Sequence, residues 1–158
     1  MDFEAELAVV IGQQAKHVSQ EDALDYVLGY TCANDISARD VQLKQDKLWG
    51  RGKSFDTFCP LGPWIATGLD GNNLNLRFEL NGQTMQNSNT NDMIFDIPFL
   101  IHYLSQCMTL YPGSVILTGT PYGVGMGRNP QIYLKSGDIM TVEVEEIGKL
   151  TNTVEIEQ

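Results

Sequence analysis

The sequence predicts an α+β fold dominated by strands. Several segments alternate apolar and polar residues at the two-residue period of a half-buried strand. Asn81-Gly82, set between two such segments, is a hairpin turn signal. A helical period of apolar residues is clear in only one segment, so the strands are expected to form a roll or barrel with one or two peripheral helices. At 158 residues the chain reads as one domain, 1–158, able to bury about two-thirds of its unfolded surface.

Residues 3–11 read as the first strand. Ser19 with Asp22 resembles a capping box, which predicts a helix over about residues 20–28, stopped by Gly29. YTCAND follows as a short buried strand. Residues 37–53 are polar and irregular, and PLGPWIATG, with two prolines, reads as an edge strand or loop. LNLRFEL and QTMQNS flank Asn81-Gly82 as a hairpin. Ile97, Leu100, Ile101, Leu104 and Met108 lie on one helical face. Pro112-Gly113 then leads into the strand VILTG and the glycine-rich loop TGTPYGVGMG. Two alternating strands, IMTVEVEEI and LTNTVEIE, are expected to turn at Gly148-Lys149. No internal repeat or low-complexity segment is present.

Charge and composition exclude several functions. Twenty acidic residues against ten Lys and Arg give a formal net charge of -10, which disfavours a nucleic-acid backbone or an anionic membrane as partner. Cys32, Cys59 and Cys107 are odd in number and lack CxxC spacing, so they read as free thiols in a reducing compartment. No apolar run approaches the ~20 residues of a membrane helix. The acidic start lacks the basic region of a signal peptide, so the expected location is cytoplasmic.

Glu4 and Glu6 pose the first chemical question. Residues two apart on a strand share a face, and like charges at that spacing repel unless something positive intervenes. Asp35 ends an apolar strand in CANDISARD, where it could cap a turn. If it converges with Glu4 and Glu6, the three form an all-oxygen site suited to Mg²⁺, Mn²⁺ or Ca²⁺. His17 and His102 fall at surface positions, which disfavours zinc. Lys53 in WGRGKSFDTF either reaches solvent or holds an anionic oxygen in a dry pocket. Arg39 and Gln42 lie one and two turns after Asp35 if that segment is helical, and are as readily structural braces as substrate contacts. TGTPYGVGMG is no Walker A motif; its Thr118 and Thr120 hydroxyls and backbone N–H groups suit a carboxylate better.

Taken in order, DFEAELAVVIG, ANDISARDVQ, GKSFDTFCPLGPW, QNSNTNDMIF, YPGSVILTGTPYGVG and LKSGDIMTVEVEEIG cover nearly the whole chain. Together they resemble the fumarylacetoacetate hydrolase family, and most closely its fumarylacetoacetate hydrolase domain-containing branch. The resemblance implies a mixed β-sheet roll, commonly dimeric. It further implies that Glu4, Glu6 and Asp35 bind one divalent cation, usually Mg²⁺, and that Lys53 is catalytic beside it. Arg39, Gln42, Thr57 and Thr120 are implied to lie against a small 2-oxo acid substrate, with Thr120 meeting its carboxylate.

The resemblance also implies a hydrolase that cleaves a C–C bond in acylpyruvate-like or fumarylacetoacetate-like 2-oxo acids. Longer members carry an Asn-Tyr…His…Glu segment before the first strand, with a lid and a Glu–His pair that activates water. A chain beginning three residues before Glu4 is expected to lack it, and neither His17 nor His102 matches its histidine. That leaves two alternatives to hydrolysis. One is decarboxylation or keto–enol tautomerisation of an oxaloacetate-like substrate, which requires no activated water. The other is a metal-binding homologue that turns nothing over.

Overall fold

The computed structural model of the chain describes residues 1–156. Its strands are β1 (Ala5–Ile11), β2 (Val27–Asn34), β3 (Leu61–Ala66), β4 (Asn75–Leu80), β5 (Gln83–Asn89), β6 (Val115–Leu117), β7 (Ile139–Val144) and β8 (Gly148–Thr153). Two α-helical segments join them: a single turn, α1 (Trp49–Gly52), and α2 (Ile97–Cys107). The strands form two four-stranded sheets, β3-β2-β1-β6 and β5-β4-β7-β8. The strand-rich α+β roll is therefore present. Every pairing among the described strands is antiparallel, so the sheets are not mixed.

Alternation explains how β1 serves both core and surface. Ala5, Leu7, Val9 and Ile11 enter the core between the sheets, where Leu76, Phe78, Val142 and Val144 of the second sheet meet them. Phe3 stacks on Phe78 with ring centroids 4.3 Å apart, joining the sheets just ahead of β1. Glu4 and Glu6 consequently project from the opposite face. Along one side the roll closes where β3 lies beside β8, with Trp64 against Gly148. Along the other side, between the β6 end and β5, lies a cavity of about 540 Å³ whose walls include Leu7, Leu76, Met93, Phe95, Thr118 and Tyr122.

The hairpin forms as expected: Asn81 and Gly82 both adopt positive φ (53° and 78°), the geometry a two-residue turn between twisted strands demands. In α2, the Asp96 side chain accepts the Phe99 N–H at the N-terminus, and Ile97, Ile101 and Ser105 are buried. Met108 lies at the C-cap and is exposed, so the apolar stripe is one position shorter than its spacing suggests.

Other expectations are corrected. The helix expected over residues 20–28 is a single 3₁₀ turn, Ala23–Tyr26. The Ser19–Asp22 hydrogen bonds form, at 2.7 and 3.1 Å, but they close a turn and no helix follows. The following segment instead pairs with β1 from Val27 onward. Gly29 is a strand residue, not a helix stop: a Cβ there would sit 2.3 Å from the Ala66 carbonyl oxygen of β3. The last hairpin turns through residues 145–147, with Glu146 at φ 61°, and Gly148 already pairs with Val144. β8 ends at Thr153, short of the expected strand end. Among the described residues, no helix is long and apolar enough to cross a membrane.

Candidate metal centre and active site

Three carboxylates converge where β1 and β2 meet. The pairing register sets Ala5 opposite Asn34, and the Asp35 N–H donates to the Glu4 carbonyl at 2.8 Å. The Asn34 side chain accepts the Glu4 N–H at 3.0 Å, fixing the strand start. One oxygen each from Glu4, Glu6 and Asp35 lies within 4.8 Å of the others, and all three residues are nearly buried. A cluster of three hard, close carboxylate oxygens fits a hard divalent cation such as Mg²⁺.

The repulsion expected between Glu4 and Glu6 is answered by donors from three directions. Arg39 donates to Glu4 through Nη2 at 2.6 Å, and Lys53 Nζ donates to Glu4 at 2.7 Å. Lys53 also donates to Asp35. The backbone N–H of Gly119, in the loop after β6, donates to Glu6 at 2.7 Å. Lys53 reaches the cluster because α1 ends beside it, with Gly52 packed closely on Gln42.

These contacts set the charge states. Burial raises the Glu6 pKa to about 7; the Gly119 hydrogen bond opposes the shift, and the Asp35 and Glu4 charges add to it. Asp35 is raised chiefly by burial, against the pull of Lys53. Burial works against the charge on Lys53, but its bonds to Asp35 and Glu4 outweigh that and raise its pKa. Lys53 is thus held as an ammonium, a donor and not a base.

The remaining candidates divide. Arg39 spends its guanidinium on Asp2 (Nε, 2.9 Å), Glu4 and the buried Gln42 (Nη1, 3.0 Å), which is the geometry of a brace. Thr120 donates to the Ala5 carbonyl at 2.9 Å, between the two glutamates. Thr57 is exposed, takes a left-handed φ of 65°, and makes no hydrogen bond to the cluster among the described residues. His17 and His102 lie elsewhere: His17 faces Gln106, and His102 Nδ1 is 2.7 Å from the Val18 carbonyl.

Two residues that sequence reasoning missed organise the site. Asp2 is fully buried and accepts from the N–H groups of Phe3, Gly125 and Met126 as well as from Arg39. Gln86 of β5 is buried and reaches both Ala5 and Thr120. Each opens a stretch that carries the family resemblance, but its role depends on partners as far as 123 and 81 residues away in sequence.

Comparison with known proteins places the chain in a family. Residues 1–155 match the family described as fumarylacetoacetate (FAA) hydrolase C-terminal. "Oxaloacetate tautomerase fahd2, mitochondrial" of Xenopus laevis is 51% identical over 158 residues, covering 98% of this chain and 50% of that protein. The crystal structure of 5-carboxymethyl-2-hydroxymuconate delta-isomerase from Mycobacterium smegmatis superposes with a TM-score of 0.92 at 49% identity, covering 99% of this chain and 59% of that one. Fumarylacetoacetate hydrolase from psychrophilic Exiguobacterium antarcticum gives 0.96 at 42% identity, over 99% of this chain and 57% of that one. The chain spans about half the length of the curated relatives it matches. The matched family, these relatives and the shared fold together establish that the chain belongs to the fumarylacetoacetate hydrolase family.

Proposed function

We propose that this domain binds a divalent cation, Mg²⁺ in the first instance, through Glu4, Glu6 and Asp35, and interconverts keto and enol forms of an oxaloacetate-like 2-oxo acid. The observation that carries the reading is the charged Lys53 lodged against two of three converging carboxylates. A divalent cation held by those carboxylates supplies Lewis acidity toward a carbonyl oxygen.

The chain's own groups supply the rest. Lys53, kept protonated, donates a hydrogen bond to the carbonyl oxygen as a neighbouring C–H proton passes to a solvent water, and that oxygen takes a proton back from solvent to complete the enol. Arg39, occupied by Asp2 and Glu4, keeps Glu4 aimed. Thr120 and the Gly119 N–H fix the loop on the far side of Glu6. Moving a proton between carbon and oxygen requires no activated water.

Names among the relatives support the isomerase class: an oxaloacetate tautomerase at 51% identity and a delta-isomerase at 49%. The hydrolase implied by the sequence resemblance has less support here. Neither histidine of the chain bonds to the cluster among the described residues. Decarboxylation shares the same enolate and is the second reading. A homodimer and a cytoplasmic location remain part of the proposal; the Xenopus relative is named mitochondrial.

The test follows the enol's ultraviolet absorbance after oxaloacetate is added with Mg²⁺. Wild type should speed keto–enol equilibration, and Asp35→Ala should not. Pyruvate and CO₂ as products would move the assignment to a decarboxylase. Acetate and pyruvate from acetylpyruvate would restore the hydrolase.

A further inference from the structure

The strand that carries Glu4 and Glu6 outruns its neighbour. On β1 the odd-numbered residues turn their backbone groups toward β6, but β6 pairs only with Ala8, Val9 and Val10. Leu7 is met by Thr118, whose N–H and hydroxyl both donate to its carbonyl, at 3.2 and 2.9 Å. Ala5, the residue between the two glutamates, has no strand on that side. Its N–H donates to Gln86 Oε1 at 3.1 Å, and its carbonyl accepts from the Thr120 hydroxyl at 2.9 Å.

Gln86 closes the circuit. Its Nε2 donates to Thr120 Oγ1 and to the Pro121 carbonyl, each at 2.8 Å, so both amide hydrogens and the oxygen are used. One buried side chain from the second sheet therefore holds the Glu4–Ala5–Glu6 backbone and the 119–121 loop in a single relation. That same loop supplies the Gly119 N–H to Glu6.

We propose that Gln86 is a positioning residue: through Ala5 and Thr120 it sets the spacing of Glu4 and Glu6 against Gly119, and hence the affinity of the site for a divalent cation. The inference rests on the cation site proposed above. Without Gln86 the Ala5 N–H is left buried and unpaired, and the loop loses its tie to β5. Partners that orient metal ligands from outside typically cost 10–100-fold in affinity when removed.

The test is Mn²⁺ binding without substrate, read from the electron paramagnetic resonance signal of free Mn²⁺. Gln86→Met should bind about 10- to 100-fold more weakly than wild type. Thr120→Val, which removes the hydroxyl shared by Gln86 and Ala5, should weaken binding in the same direction, and Thr120→Ser should restore it. Ile101→Ala, a core truncation in α2, which packs on the 23–26 turn, should lower thermal stability but leave Mn²⁺ affinity within about twofold. The proposal is overturned if Gln86→Met and Thr120→Val both match wild type, or if Ile101→Ala weakens binding as much as they do. Should Gln86→Met fail to fold, Thr120→Val decides. Wild type that binds no Mn²⁺ overturns the cation site and this inference together; wild type that binds it, with unaltered variants, overturns only the role of Gln86.

Discussion

Asp2 accepts the Nε–H of Arg39 at 2.9 Å, and the pair is almost wholly shielded from solvent. A second Arg39 nitrogen is bonded to Glu4, so Asp2 sets where Glu4 finds its counter-charge. Removing one partner of a buried ion pair typically costs about 3–5 kcal/mol, because the other is stranded. Asp2→Ala should lower unfolding free energy by about that much in urea titration. Asp2→Asn, which keeps one acceptor for the backbone donors, should lose less. Equal losses would assign the cost to the missing charge opposite Arg39 and not to the N–H groups of Gly125 and Met126.

Glu6 ties cation binding to pH. Its carboxyl is raised to about 7 chiefly by burial, so in the metal-free domain it takes up a proton that the unfolded chain, with its ordinary value of 4.5, does not hold. This contribution to stability is present below the unfolded value and is lost as pH climbs from 4.5 through about 7. A divalent cation requires the ionised form, so its stabilising effect should grow over the same range and level off above it. Thermal unfolding with and without Mg²⁺ across that interval measures both slopes, and a Mg²⁺ effect independent of pH would remove Glu6 from the ligand set.

Lys53 should separate binding from turnover. Lys53→Met keeps an unbranched apolar stem but loses the ammonium that faces Glu4 and Asp35. Keto–enol turnover should fall by about 10²–10³-fold, the range found on removing one donor to a developing oxyanion. Cation affinity should be roughly unchanged; parallel loss of both would make Lys53 structural. Replacing His17 or His102, which face Gln106 and Val18, should leave turnover near wild type.

Gly29 tests the correction to the second segment. A methyl group there points at the Ala66 carbonyl and the Ile65 side chain. Gly29→Ala should force β3 from β2 and cost about 1–3 kcal/mol in chemical denaturation, as overpacking does. A helix stop would tolerate the change more easily, so a neutral result would argue against the strand.

Local chemistry accounts for what the sequence made readable. Asn81-Gly82 announces its hairpin because few residue pairs accept two positive φ angles, and Glu4 and Glu6 announce a shared face because strand period is two. Ser19 and Asp22 misled for the same local reason: their bonds exist, but pairing with β1 decided the fate of Val27 onward. Asp2 and Gln86 were invisible because their meaning lies in backbone groups far along the chain. Arg39 was visible by its place in ISARD, yet which oxygens it would grip depended on the register of β1 with β2.

The order in which the site's parts occur along the chain has a consequence for its assembly. Every acid and base of the network, Asp2, Glu4, Glu6, Asp35, Arg39 and Lys53, occurs between residues 2 and 53. The neutral groups that anchor it, from the Gln86 side chain to the amides of Gly119, Gly125 and Met126, come later. During synthesis these acids and bases therefore emerge ahead of every one of those anchors. The charged side of the site, four acids and two bases, is complete by residue 53, and the second half of the chain adds stiffness without adding charge to it.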